Sequence, residues 1–65
     1  MFANQRREKI CEIVNEKGNV SVDALTELFQ VSAETVRRDL IVLEVHGNLK
    51  RVHGGAVSTK GFKRY

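Results

Sequence analysis

Hydrophobic positions along the chain fall into three stretches of helical period and one that alternates. In the first, Ile10, Cys11, Ile13 and Val14 recur at helical spacing with charges between them, which predicts a helix from about Gln5 to Lys17. Asn4 is the expected N-cap. Gly18 is the expected stop, and Lys17 sits in the last turn, where a cation suits the helix dipole. Gly18-Asn19 turns the chain, and Val20 and Val22 flank Ser21 in the pattern of a very short strand. Ser21 or Asp23 can cap a second helix ending near Gln30, with Leu25, Leu28 and Phe29 facing inward at i, i+3 and i+4. Ser32 is the natural cap of a third helix, whose inner stripe is Val36, Leu40 and Leu43 and whose end is Gly47. Leu49 to His53 then alternates as a strand. Gly54-Gly55 is a hairpin turn in which both residues tolerate positive φ, and Ala56-Val57-Ser58 returns as the partner strand.

The order is helix, short strand, helix, tight turn, helix, hairpin. This predicts a mainly α fold with a small β-hairpin, a winged helix-turn-helix of three helices plus a wing, over residues 1–58. The helix-turn-helix falls at about 20–39 and the wing at about 49–58. The apolar hairpin residues Leu49 and Val52 cannot bury themselves alone, so the hairpin is expected to lean on the helices. Residues 59–65 have no period and read as a basic, mobile tail or the start of a linker.

Composition narrows the function. The chain has 65 residues, enough for one small domain, which buries only about 60% of the surface its unfolded chain exposes and has little room for a deep, dry pocket. No catalytic role is expected. The net charge of +3 is uneven: residues 1–31 carry four bases and five acids, residues 32–65 seven bases and three acids. Positive charge gathered at one end points to a polyanionic partner for that end. No apolar run approaches the ~20 residues a membrane span needs, so a soluble protein with no membrane partner is expected. Met1 leads into the charged Asn4-Gln5-Arg6-Arg7-Glu8-Lys9 rather than a secretory signal. A single cysteine fits a reducing, cytoplasmic location.

The third helix carries the candidate chemistry. A helix can enter the major groove, about 12 Å wide, when its outer face near the N-terminus is small and hydrogen-bonding. With Val36, Leu40 and Leu43 turned inward, Ala33, Glu34, Arg37, Arg38 and Ile41 remain on other faces. Ser32 and Thr35 offer hydroxyls beside free backbone N–H groups, a place for a phosphate. Arg38 lies one turn after Glu34 and can reach the O6/N7 edge of a guanine with two prongs. Arg37 lies about 100° around the helix and is better aimed at flanking phosphates. Glu34 can accept from a cytosine amino group or pair with Arg38. Asp39 has no basic partner at i±3 or i±4. Either it orients an arginine elsewhere, with Arg51 as candidate, or it is a solvated acid. On the wing, Lys50, Arg51 and His53 are expected near the hairpin tip, and Gly54-Gly55 lets the backbone approach a phosphate closely.

Ser32-Ala33-Glu34-Thr35-Val36-Arg37-Arg38-Asp39-Leu40, then Leu43-Glu44, Gly47-Asn48-Leu49 and Arg51-Val52-His53-Gly54-Gly55-Ala56, resemble the DNA-binding domain of DeoR-type bacterial transcriptional repressors. The resemblance runs from about Asn4 to Ser58. It implies sequence-specific binding of a double-stranded DNA operator, and repression of sugar or carbon metabolism genes. It also implies a homo-oligomeric full-length protein whose larger C-terminal domain senses a phosphorylated sugar or related metabolite. These 65 residues cannot hold that domain, so the chain is expected to be an N-terminal DNA-binding fragment. The family often has a small residue where Thr26 stands and a glycine where Gln30 stands. A positive φ at Gln30 would cost about 1–2 kcal/mol.

Other readings remain. Arg6, Arg7 and Lys9 on the first helix can touch phosphates or form a solvated face. Ile41, Val42 and Val45 can serve a protein-interaction winged helix, a dimer or domain packing. Cys11, His46 and His53 have no metal-ligand spacing, so no metal or cofactor is expected, and Cys11 reads as a small core hydrophobe. A nucleic-acid enzyme would need a carboxylate or nucleophile cluster that the sequence does not display.

Overall fold

The computed structural model describes residues 1–59, so all but Thr59 of the basic tail lies outside the described residues. The elements are α1 (Ala3–Lys17), β1 (Asn19–Ser21), α2 (Val22–Phe29), α3 (Ala33–Val45), β2 (Lys50–Val52) and β3 (Gly55–Val57). They form a winged helix-turn-helix, three helices with a small antiparallel sheet.

Each helix is bounded by side-chain chemistry near its ends. α1 begins earlier than its pattern suggests: Phe2 holds the cap position and its N–H donates to Gln5 Oε1 at 3.0 Å. Gln5 thus makes the back-bond of a capping box without its partner, since Phe2 has no side-chain acceptor, and Asn4 lies inside the first turn instead of capping it. Gly18 closes α1, its N–H donating to the Val14 carbonyl at 2.7 Å. Of the two caps open for α2, Ser21 is the one used: its hydroxyl accepts from the Ala24 N–H at 3.0 Å. Ser32 caps α3 in the same way, accepting from the Thr35 N–H at 3.2 Å.

The turn between α2 and α3 confirms the demand on Gln30, which has φ 56° and ψ 48°. Its side-chain amide donates to the Glu27 carbonyl at 2.8 Å, and the Val31 N–H donates to the Thr26 carbonyl at 3.3 Å. These bonds satisfy carbonyls at the end of α2 and offset part of the left-handed strain.

The core joins Ile10 and Val14 of α1, Val22 and Leu25 of α2, and Val36, Leu40 and Leu43 of α3 to Leu49 and Ala56 below the wing. Leu28 departs from the expected stripe and is 59% exposed. Val22 opens α2 and takes an inward place, so the buried line becomes Val22, Leu25 and the half-buried Phe29, which turns Leu28 to the rim. Val52 is likewise exposed while Leu49 is buried. The two are three residues apart, and in an extended ribbon an odd separation sends side chains to opposite faces.

The hairpin is not alone. The sheet has three strands in the order β1-β3-β2. Val20 of β1 sits opposite Ala56, which in turn faces Arg51 of β2. An isolated three-residue strand would leave its backbone groups unpaired; β3 offers a free edge to β1. Only one glycine of the expected Gly-Gly turn uses positive φ: Gly54, at 81°. Gly55 is already in β3 and is needed for a different reason. A Cβ there would lie 2.0 Å from the Val20 carbonyl oxygen.

Candidate nucleic-acid interface

At 100° per residue, burial of Val36, Asp39, Leu40 and Leu43 fixes the opposite face of α3 as Glu34, Arg37, Arg38, Ile41 and Val45. All five are exposed. Arg38 Nη2 lies 3.3 Å from Glu34 Oε2, with the side chains 68% and 81% exposed. Such an exposed i,i+4 pair is worth about 0.3–0.5 kcal/mol, so either partner can be drawn away at little cost. Arg37 forms no ion pair among the described residues.

The helix start is less open than expected. The Ser32 hydroxyl accepts from the Thr35 N–H and also donates to Thr35 Oγ1 at 3.0 Å, so the two hydroxyls serve the cap and each other. Ala33 does not stand with the outward group. It is half-buried against the core, because 300° of rotation carries Val36 from it and both lie toward the inner side.

Beyond the pairing of β1 with β3, polar contacts tie the wing to the helices. The Val22 N–H donates to the Gly54 carbonyl at 2.8 Å, which ties the wing tip to the start of α2. Glu44 of α3 braces β2: Oε2 accepts from the Arg51 N–H at 3.1 Å and Oε1 from Arg51 Nε at 2.9 Å. The Arg51 side-chain bond, then its backbone bond, holds the Glu44 carboxyl below the usual carboxylate range. The brace is therefore present above that range and is lost only as pH falls through the lowered value. Between wing and helices runs an open cleft lined by Arg37, Arg51, His53 and Gly54, with Val22 and Asp23 on its α2 side. This cleft brings together cations from α3 and the wing that are 14 or more positions apart in sequence. Lys50 does not join it. It stands at the base of β2, three residues from His53, because the turn is made by His53 and Gly54 alone.

Asp39 pairs with arginines of another element, as one of its two readings has it, but the partners differ from the expected one. It is neither solvated nor paired with Arg51; it is 1% exposed and receives two arginines from α1. Arg6 approaches with Nε on Oδ2 and with Nη2 on Oδ1 at 3.1 Å, and Arg7 Nε donates to Oδ1 at 3.0 Å. The bond to Asp39 raises the Arg6 guanidinium above its ordinary value, against a smaller opposing effect of burial. Arg6 and Arg7 are thus neither a solvated face nor free to grip phosphates with all their donors. The signal was present in the chain. Asp39 falls inside the apolar stripe Val36, Leu40, Leu43, and an acid there demands a cation from another element. Its identity lay 32 and 33 positions away, beyond any local pattern.

Cys11 is half-buried and packs on the core; burial, then the Glu8 carboxylate, pushes its thiol upward and disfavours the thiolate. Among the described residues no group of three or more His, Cys, Asp or Glu side chains could hold a metal ion. Within the same residues no helix is long and apolar enough to cross a membrane.

Comparison with known proteins agrees with this architecture. The chain is 48% identical over 58 residues to the uncharacterized HTH-type transcriptional regulator YulB of Bacillus subtilis, covering 89% of this chain and 22% of that protein. It is 37% identical over 65 residues to the HTH-type transcriptional regulator GolR of Listeria innocua, covering 100% of this chain and 26% of that one. It is 43% identical over 63 residues to the lactose phosphotransferase system repressor of Staphylococcus aureus, covering 97% and 25%. The chain thus spans about a quarter of the length of these relatives. No solved structure matches it significantly. The family model for the DeoR-like helix-turn-helix domain matches residues 6–62, and the chain belongs to that family.

Proposed function

We propose that this domain binds double-stranded DNA with sequence preference, as the operator-reading part of a bacterial transcriptional repressor. The observation that carries the reading is the outward face of α3, where Arg37 and Arg38 project opposite a fully buried stripe and Arg37 shares a cleft with Arg51 and His53 of the wing. α3 enters the major groove. Arg38 exchanges its weak bond to Glu34 for the O6/N7 edge of a guanine, Arg37 neutralises a phosphate at the groove edge, and Arg51 and His53 offer it further hydrogen bonds from the wing. The likeness to a lactose phosphotransferase system repressor supports control of sugar or carbon metabolism genes. In this reading the domain is a binding module of a cytoplasmic regulator, not an enzyme. The full-length protein is a homo-oligomer whose further domain senses a phosphorylated sugar.

Selection of bound duplexes from a random pool tests the reading and yields the site. On that site, Arg38→Ala is expected to lose about 1–3 kcal/mol of affinity and to relax preference at one base pair. An equal loss on selected and random DNA contradicts base reading. Arg37→Ala is expected to weaken both duplexes alike and to lower the slope of log K against log salt by about one. A changed base preference in that variant counts against a phosphate role.

A second reading has one observation in its favour. Ile41 and Val45 leave apolar surface on the same face of α3, which suits a protein partner. Salt discriminates the two. Binding driven by phosphates weakens steeply as salt rises, whereas an apolar protein contact stays nearly flat.

A further inference from the structure

We propose that Ile41 is a specificity-determining residue that recognises the 5-methyl group of a thymine beside the base pair read by Arg38. The proposal rests on the DNA-reading function above. A single exposed isoleucine is ordinary on a protein surface, so exposure alone says nothing. Position is what makes this one informative. Ile41 is 44% exposed. At 100° per residue it projects between Arg37 and Arg38, one turn further along α3, in the middle of the face opposite the buried stripe. Two guanidinium groups flank it against the one carboxylate of Glu34 on this face, so the net charge favours a polyanion for whatever covers this part of the helix. Inside the major groove, base edges present hydrogen-bond donors and acceptors with one apolar exception, the thymine methyl.

The axial spacing agrees. Three residues beyond Arg38 amount to about 4.5 Å of rise, against about 3.4 Å for one base-pair step. A side chain at that place reaches the pair next to the guanine that Arg38 reads. The Ile41 side chain has no hydrogen-bonding group, so it leaves base-edge donors and acceptors unmatched whichever base stands there, and only thymine offsets that loss with an apolar methyl. Val45, a further turn along, lies about 10.5 Å beyond Arg38 and falls past this step.

The test replaces each thymine of the selected duplex by uracil, which removes the methyl and leaves every hydrogen bond intact. Binding of the 65-residue chain is followed by fluorescence anisotropy. One replacement is expected to weaken the wild-type chain about fourfold, the worth of one buried methyl. Ile41→Ala is expected to bind the thymine duplex about fourfold more weakly and to be indifferent to that uracil. Ile41→Val, which keeps a branched apolar tip, and Val45→Ala are expected to retain the uracil penalty. An equal penalty in Ile41→Ala overturns the proposal, because another group then reads the methyl. So does the absence of any uracil penalty while Arg38→Ala still relaxes base preference; the DNA-reading function stands in that case and only the role of Ile41 falls. If no duplex is selected at all, both readings fall. If Ile41→Ala abolishes a concentration-dependent association of free chains without changing the response to uracil, the residue serves contact between copies and the proposal is overturned.

Discussion

Asp39→Ala is expected to destabilise the domain by about 3 kcal/mol, a large share of what a fold of this size has to spare. The carboxylate is 1% exposed and accepts from two arginines of α1, with Arg6 engaging both of its oxygens. Its removal leaves a cavity where a charge stood and strands two guanidinium groups against the core. The loss falls at the lower end of the range for broken buried ion pairs, because both arginines keep some contact with water and are partly solvated when the partner is gone. Urea unfolding followed by helical circular dichroism measures it. A loss under 1 kcal/mol would mean that the pair only decorates the helix packing. Ionic strength gives an independent check. Screening acts on exposed pairs far more than on buried ones, so the difference between wild type and Asp39→Ala should persist in high salt. Any contribution of the exposed Glu34–Arg38 pair should vanish there.

The consequence reaches the face of α3 proposed to read DNA. Asp39 is adjacent to Arg38 in the chain but lies about 100° around the helix, where it points into α1. Together with the buried Val36, Leu40 and Leu43 it therefore holds the rotation of α3 about its own axis, and with it the direction in which Arg37, Arg38 and Ile41 project. A conservative Asp39→Asn variant retains the shape and one acceptor but not the charge. On the DNA-reading proposal it is expected to weaken specific binding more than its stability loss alone accounts for, which comparison of affinities well below the unfolding transition resolves.

Much of this arrangement could be read from the chain, and most of what could not shares one physical cause. The three helices follow from period and caps, because the apolar stripes, Ser21, Ser32 and Gly18 act within a few residues of one another. The outward placement of Arg37 and Arg38 follows from the same period. What the pattern does not carry is pairing between distant elements. β1 is visible as two valines around a serine, but its seat on the far edge of β3 depends on a contact across 34 or more positions. The clamp from Asp39 to Arg6 and Arg7 has the same character, and the brace from Glu44 to Arg51, though only seven positions long, also joins two elements that no single period relates. Local rules also mislead where two positions compete for one face, as Val22 displaced Leu28 and as strand parity separated Leu49 from Val52.

Gly55→Ala is expected to cost about 3 kcal/mol or more, and the reason lies in space, not in backbone dihedrals. Its φ is not in the left-handed region, so alanine adopts the local conformation without strain. The added Cβ, however, would stand 2.0 Å from the Val20 carbonyl oxygen and 3.0 Å from Ser21 Cα. Both are backbone atoms of β1, and no rotamer change relieves the clash. β1 and β3 must part at the Ser21–Gly55 position, which unseats the wing from the start of α2 where the Gly54 carbonyl holds the Val22 N–H. Gly54→Ala is the matched control. There φ is 81° but nothing lies within 4 Å of the new methyl, so the penalty is that of one left-handed residue, about 1–2 kcal/mol. Thermal unfolding of the two variants side by side decides the matter. Equal melting temperatures would show that β1 yields to the methyl. A markedly lower value for Gly55→Ala, together with loss of the contribution of Arg51 and His53 to DNA affinity, would place the rigidity of the wing in the contact between Gly55 and Val20.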